Sequence, residues 1–159
     1  MKSAHVITVS DGVAAGTRKD AGGPAVIALL KQAGFEASGP EVVPDDQEEI
    51  SEAIETAASR GNDVVVTTGG TGLGPRDVTP QAISAVIDYE VPGIGEAMRR
   101  AGEGSTPMAA LSRSIAGVRG KTLIISLPGS PKGATESLEA VVAILGHAID
   151  LLHGDTAHR

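Results

Sequence analysis

Asp77 ends a loop that runs Thr67-Thr68-Gly69-Gly70-Thr71-Gly72-Leu73-Gly74-Pro75-Arg76 and carries four glycines within six residues. Glycine lets backbone N–H groups come close to an anion, and successive N–H groups form a nest that binds phosphate or carboxylate. A carboxylate beside such a nest points to a metal-bridged nucleotide rather than to a bare anion. Asp77 can equally serve an Asx turn ahead of Thr79. Two further acids, Asp11 and Asp45, follow other apolar runs. Asp45 has Glu48 three residues on, the spacing of a capping box. It is therefore a helix cap, a metal or substrate ligand, or both, and Asp46 is an alternative cap. A second loop, Leu127-Pro128-Gly129-Ser130-Pro131-Lys132, offers the amides of Gly129 and Ser130 at a helix start; Lys132 either neutralises phosphate or is solvated. Ser112-Arg113-Ser114 supplies hydroxyls and a guanidinium suited to phosphate, or a plain helix surface.

Known nucleotide motifs do not fit the glycine loop. A P-loop ends in Gly-Lys-Ser/Thr, whereas Gly74 is followed by Pro75 and Arg76. A dinucleotide-binding fingerprint belongs to a first strand–helix unit with a different glycine spacing. No nucleophile–base pair stands out. His5 abuts a strand, and His147, His153 and His158 lie on or beyond the last helix, away from the loops. The chemistry implied is the positioning and charge neutralisation of phosphates.

These residues need a frame. Val6–Val9, Asp63–Thr67 and Leu123–Ser126 read as buried strands, and Phe35–Val43 as extended. Helical periodicity runs through Val26, Leu29, Leu30 and Ala33, with Gly34 as the stop, and through Ile50, Ile54 and Ala57 between Asp45 and Ser59. It returns in Ile83, Val86 and Ile87 after an expected Thr79 N-cap, and in Leu138, Val141, Val142, Leu145, Ile149 and Leu152. Glu96–Arg100 reads as a short helix, as does Ala109–Ser114. Strands alternating with amphipathic helices make an α/β fold: three α/β/α layers around a mostly parallel central sheet. The loops 10–20, 44–46, 69–77 and 127–132 then converge at the carboxyl ends of the strands, where open sheets bind ligands. No repeat, linker or composition shift divides the chain, so residues 1–159 are expected to form a single domain.

Bulk properties narrow the partners. The net charge is −7, no block of basic residues occurs, and Phe35 and Tyr89 are the only aromatic side chains. Nucleic acid lacks both its electrostatic footprint and its stacking platforms, and an anionic membrane is equally unsuited. There is no cysteine, hence no disulfide or thiolate site. With no long apolar run, the expected location is the cytoplasm.

Taken together, the motifs resemble the molybdenum-cofactor biosynthesis domain, in particular its short stand-alone molybdopterin adenylyltransferases. The resemblance is carried in order by Val9-Ser10-Asp11, Gly16 and Asp20, Pro44-Asp45-Asp46-Gln47, Thr67–Gly72 through Arg76-Asp77-Val78-Thr79-Pro80, Pro92–Arg99, Leu111-Ser112-Arg113 and Leu127–Pro131. It implies a molybdopterin-binding-like three-layer fold, a homotrimer, and the reaction of molybdopterin with Mg-ATP to give adenylylated molybdopterin and pyrophosphate. A molybdenum-insertion protein would act downstream. Carried onto this chain, Ser10, Asp11, Thr68, Gly69, Gly70, Thr71, Gly72, Pro128, Gly129 and Ser130 would bind nucleotide. Asp45 and Asp77 would be catalytic and hold Mg2+, with ATP as co-substrate, and Ser112 and Arg113 would bind molybdopterin. Gly12 departs from the family pattern, which often has a larger polar residue there. A binding or carrier protein without turnover is the alternative on the same pocket.

Overall fold

The computed structural model describes residues 1–157; His158 lies outside the described residues. Six strands form one sheet: β1 Ser3–Val9, β2 Glu36–Val43, β3 Val64–Thr68, β4 Tyr89–Glu90, β5 Ala116–Arg119 and β6 Thr122–Leu127, in the order β2-β1-β3-β6-β5-β4. The pairs β1–β2, β1–β3 and β3–β6 are parallel, whereas β4–β5 and β5–β6 are antiparallel. The helices are α1 Asp11–Ala14, α2 Gly22–Gln32, α3 Gln47–Ser59, α4 Thr79–Ser84, α5 Pro92–Glu103 and α6 Pro131–Leu152, with a 3₁₀ turn at Pro107–Leu111.

Alternation along the inner strands feeds two cores. Val64 and Val66, with Leu123, Ile125 and Leu127, point to the face covered by Val26 and Leu30 of α2, Ile94 and Met98 of α5, and Leu138, Val141 and Leu145 of α6. Val65 and Ile124 point the other way, toward Ile50 and Ile54 of α3 and Ile83 of α4. Every residue of β3 and β6 is buried. A parallel strand covered on both faces reads as a continuous apolar run, which is why these two were legible.

The sequence reading holds for the layers and needs correction at the edges. Residues 10–20 are not all loop: Ser10 Oγ accepts the Val13 amide and starts the single turn of α1. Strands β4 and β5 add an antiparallel margin that the pattern did not announce. Ser112–Ser114 is not helical: the turn before it ends at Leu111 and Ser112 is already extended. Thr79 does not cap α4. Val78 occupies the N-cap, and the Thr79 hydroxyl donates to the Gly69 carbonyl at 2.9 Å. It thus fastens the glycine loop to the helix that follows. Asp46, not Asp45, caps α3, accepting the Glu49 amide at 3.0 Å.

Candidate active site at the carboxyl edge of the sheet

Register places the ends of the four parallel strands side by side: Val9 pairs with Val43, Thr8 with Thr68, and Thr68 with Leu127. The loops leaving them enclose a cleft of about 560 Å³ lined by Ser10, Asp45, Thr68, the loop Gly69–Gly72, Asp77, Gly129 and Ser130. Close backbone approach makes this possible. Gly69 has φ +94°, and a Cβ there would run into the Val9 carbonyl; Gly70 follows with φ +70°. These are left-handed conformations that only glycine adopts without strain. Gly22 at the start of α2 and Gly129 likewise pack on neighbouring backbone, so three loops meet with no side chain between them.

Two backbone features suit an anion. The Gly69 amide is used by the Leu127 carbonyl at 3.0 Å, but the amides of Gly70, Thr71 and Gly72 have no hydrogen-bond partner among the described residues. Gly129 and Ser130 stand at the N-terminus of α6, whose first turn is capped by Ser130 Oγ accepting the Gly133 amide at 3.0 Å. A 22-residue helix presents its positive end there.

Asp45 and Asp77 both line the cleft, on either side of the glycine loop. Asp77 Oδ2 accepts the Gly74 amide at 2.9 Å, while the Asp77 amide donates to the Gly74 carbonyl at 3.0 Å. The turn role and the cleft position therefore coexist in one residue. Asp45 Oδ2 accepts the Asp11 amide at 2.9 Å, leaving Oδ1 without a hydrogen-bond partner among the described residues, over Gly70. Burial pushes the Asp45 carboxyl above the usual carboxylate range, with the negative charges of Asp11 and Asp77 adding to it. A divalent cation would relieve that repulsion. No group of three or more His, Cys, Asp or Glu among the described residues is arranged to hold a metal. Asp45 and Asp77 offer at most two protein carboxylates, a number compatible with an ion such as Mg2+, which takes one or two and completes its shell with phosphate and water.

The other sequence-derived candidates divide. Ser10, Thr68, Gly129 and Ser130 come together with the glycine loop. Pro128 and Ser112 line a second cavity, about 290 Å³, that shares Thr71, Gly72 and Ser130 with the cleft and adds Met98, Arg99, Met108, Leu111 and Glu136. Asp11 stands outside the cleft lining, behind Asp45. Arg113 turns its guanidinium inward: Nε donates to the Gly72 carbonyl at 2.9 Å and Nη2 to the Asp77 carbonyl at 2.7 Å. Lys132 is exposed and lies 3.9 Å from Glu136.

Sequence reasoning missed Arg18 and Lys19, which line the cleft from the first loop. Their one signal was being an adjacent basic pair in a segment following a strand. Asp20, named only as carrying the family resemblance, has a role the sequence did not show: its Oδ2 takes the Thr8 hydroxyl at 2.7 Å and its Oδ1 takes the Gly23 amide at 3.0 Å, so that it anchors α2 at the cleft floor.

Residues 5–147 match the MoCF_biosynth family, described as "Probable molybdopterin binding domain". The chain belongs to this family. Its place is in molybdenum cofactor biosynthesis. It is 42% identical over 139 residues to the molybdopterin adenylyltransferase of Haemophilus influenzae, covering 86% of this chain and 71% of that one. It is 38% identical over 163 residues to the enzyme of the same name from Helicobacter pylori, covering 98% and 91%. The crystal structure of the molybdopterin biosynthesis enzyme MoaB from Thermus thermophilus superposes with a TM-score of 0.91 at 50% identity, covering 97% of this chain and 98% of that one. The chain spans only 48% and 47% of the bifunctional molybdenum cofactor biosynthesis proteins of Chlorobaculum tepidum and Synechococcus elongatus, and 22% of Dictyostelium gephyrin.

Proposed function

We propose that this chain is a molybdopterin adenylyltransferase, moving AMP from Mg-ATP to the terminal phosphate of molybdopterin. An oxygen of that phosphate attacks the α-phosphorus of ATP; the bond from the α-phosphorus to the bridging oxygen of the β-phosphate breaks, and pyrophosphate leaves with the bond's electrons. The observation that carries the reading is the pair of adjoining cavities. One is a polar cleft floored by glycine amides, the other a smaller chamber with methionine and leucine in its wall, and they meet at Thr71, Gly72 and Ser130. A reaction between a nucleotide and a second phosphate ester needs two such compartments side by side.

In this reading the amides of Gly70, Thr71 and Gly72, with the start of α6, hold the triphosphate, assisted by Arg18 and Lys19. Two anions must be brought together, so the site has to neutralise charge where the new bond forms. Asp45 and Asp77 would hold Mg2+, which supplies that neutralisation when bound. Ser112 faces the molybdopterin side. Arg113 supports the same side indirectly, by fixing the carbonyls of Gly72 and Asp77. The names of the Haemophilus and Helicobacter relatives support the assignment.

Incubation of the purified protein with molybdopterin, ATP and Mg2+ should release pyrophosphate. Folded protein that binds molybdopterin and releases none would instead be a binding or carrier protein. We further propose a homotrimer, for which sedimentation equilibrium should give three times the 16.0 kDa chain mass; a species of single-chain mass at micromolar concentration would refute it.

A further inference from the structure

Asp11 sits between two cleft-lining residues, Ser10 and Val13, yet does not itself line the cleft. Its contacts are elsewhere. Asp11 Oδ1 accepts the Asp45 amide at 3.0 Å, while the Asp11 amide donates to Asp45 Oδ2 at 2.9 Å. The two residues therefore clasp each other through main chain and side chain in both directions. The same Asp11 carboxylate receives a guanidinium fork: Arg76 Nε on Oδ2 and Nη2 on Oδ1, each at 3.0 Å. Arg76 belongs to the glycine loop and immediately precedes Asp77. One chain of contacts thus runs from Asp45 through Asp11 and Arg76 to the backbone that carries Asp77.

Stability does not account for this chain. The Arg76 and Asp11 side chains are 66% and 45% exposed, and an exposed ion pair contributes little to folding. What a bidentate fork does provide is orientation, because two parallel hydrogen bonds fix the plane of the carboxylate. Orientation matters here because Asp45 and Asp77 repel each other across the glycine loop. Two like charges required at a set spacing drift apart unless the groups behind them are held.

We infer that Asp11, held by Arg76, is a positioning residue that sets where Asp45 stands relative to Asp77. The inference rests on the adenylyl-transfer reading for the role of those two carboxylates, but it gives Asp11 no contact with either substrate. It replaces the expectation that Asp11 binds nucleotide.

The test compares R76Q, D11N, D11A and R76K in the full-length protein. R76Q removes the fork and leaves the clasp, D11N keeps an oxygen for the Asp45 amide but loses the charge, and D11A removes both. D11A should lower kcat by about 10²-fold, the scale of a misplaced reacting group, while KM for ATP stays within about twofold. R76Q and D11N should fall between wild type and D11A, and R76K should recover part of the loss. D11A/R76Q should be no worse than D11A, because both act through one chain of contacts. Amide hydrogen exchange gives a readout independent of turnover: the Asp45 N–H should lose protection in D11A and, to a smaller extent, in R76Q. Wild-type kcat in D11A would overturn the inference, as would a matching loss of ATP affinity, which would make Asp11 a ligand. An Asp45 amide equally protected in wild type, R76Q and D11A would overturn it as well. A wild-type protein that transfers no adenylyl group would sink the proposed function instead, leaving the exchange measurement to decide the clasp.

Discussion

Replacing Asp45 by asparagine and by alanine separates catalysis from architecture at one position. Asp46 caps α3, so neither change touches the helix start. Asparagine keeps an oxygen for the Asp11 amide, now at 2.9 Å from Asp45 Oδ2, and removes a charge that faces two other carboxylates. Asp45→Asn should therefore melt at or slightly above the wild-type temperature at pH 7. Alanine leaves the Asp11 amide without its acceptor, a loss of about 0.5–1.5 kcal/mol for one hydrogen bond. For a chain of this size that corresponds to a drop of roughly 1–6 °C. Turnover should not follow that order. Both variants lose a carboxylate that would hold Mg2+, and removing one group on which transition-state charge stabilisation depends costs about 10²–10³ in kcat. Scanning fluorimetry and pyrophosphate release on the same preparations give both numbers. A kcat for Asp45→Asn within about twofold of wild type would refute the reasoning, since single-group electrostatic losses are far larger. So would an asparagine variant that melts as low as the alanine one.

Asp46→Ala should show the reverse behaviour, losing about 1 kcal/mol of stability with the α3 cap while kcat stays at the wild-type value; a melting scan beside the transfer assay checks it. Arg113→Ala removes the donors to the carbonyls of Gly72 and Asp77. It should weaken ATP and molybdopterin binding and lower the melting temperature together, whereas an effect confined to KM for molybdopterin would make Arg113 a direct substrate ligand. In metal-free protein, acid titration should separate Asp11 from Asp45. The Arg76 fork holds the Asp11 carboxyl below its ordinary value, so its contribution is present above the unfolded-state pKa and is lost as pH falls through the lower folded one. Arg76→Gln should therefore unfold at higher pH than wild type. Asp45 is shifted upward, so it opposes folding at neutral pH and ceases to do so as it protonates; the stability gain of Asp45→Asn over wild type should be largest at neutral pH and shrink as pH falls.

The layers and the glycine-lined half of the cleft were legible because their signals are local. Val64–Thr68 is a buried strand wherever it stands, and four glycines directly after it mean close backbone approach. The Gly129-Ser130-Pro131 start of α6 is likewise written in three consecutive residues. The short strands β4 and β5 carried no such signal: two and four residues are too few to show a period, and while the turn at Gly120 pairs β5 with β6, β4 meets β5 only after α5 and the 3₁₀ turn. Capping was left open between Asp45 and Asp46 at α3 and misplaced by one residue at α4, because neighbouring groups competed and tertiary contacts decided. At α3 Asp45 is drawn away by the Asp11 amide and Asp46 takes the cap. At α4 the Thr79 hydroxyl is drawn to the Gly69 carbonyl.

The carboxylate half of the site was legible in residue type and not in role. Asp11 meets Asp45 across 34 positions and Arg76 across 65, and Arg113 reaches the glycine loop across 36 and 41. No period or motif encodes which of several arginines will fold back onto a carbonyl and which will hold a carboxylate. That choice follows from the sheet order, which places β1 beside β3 and β3 beside β6, so that loops distant in sequence become neighbours. An arginine in such a neighbourhood goes to whichever acceptors cannot be satisfied locally. For Arg113 these are the carbonyls that a glycine-rich turn leaves outside any helix or strand. For Arg76 they are the oxygens of a carboxylate whose own amide is already spent on Asp45. The backbone amides that floor the cleft are thus specified by short runs of residues, whereas the spacing of the charges around them is specified by the topology of the sheet.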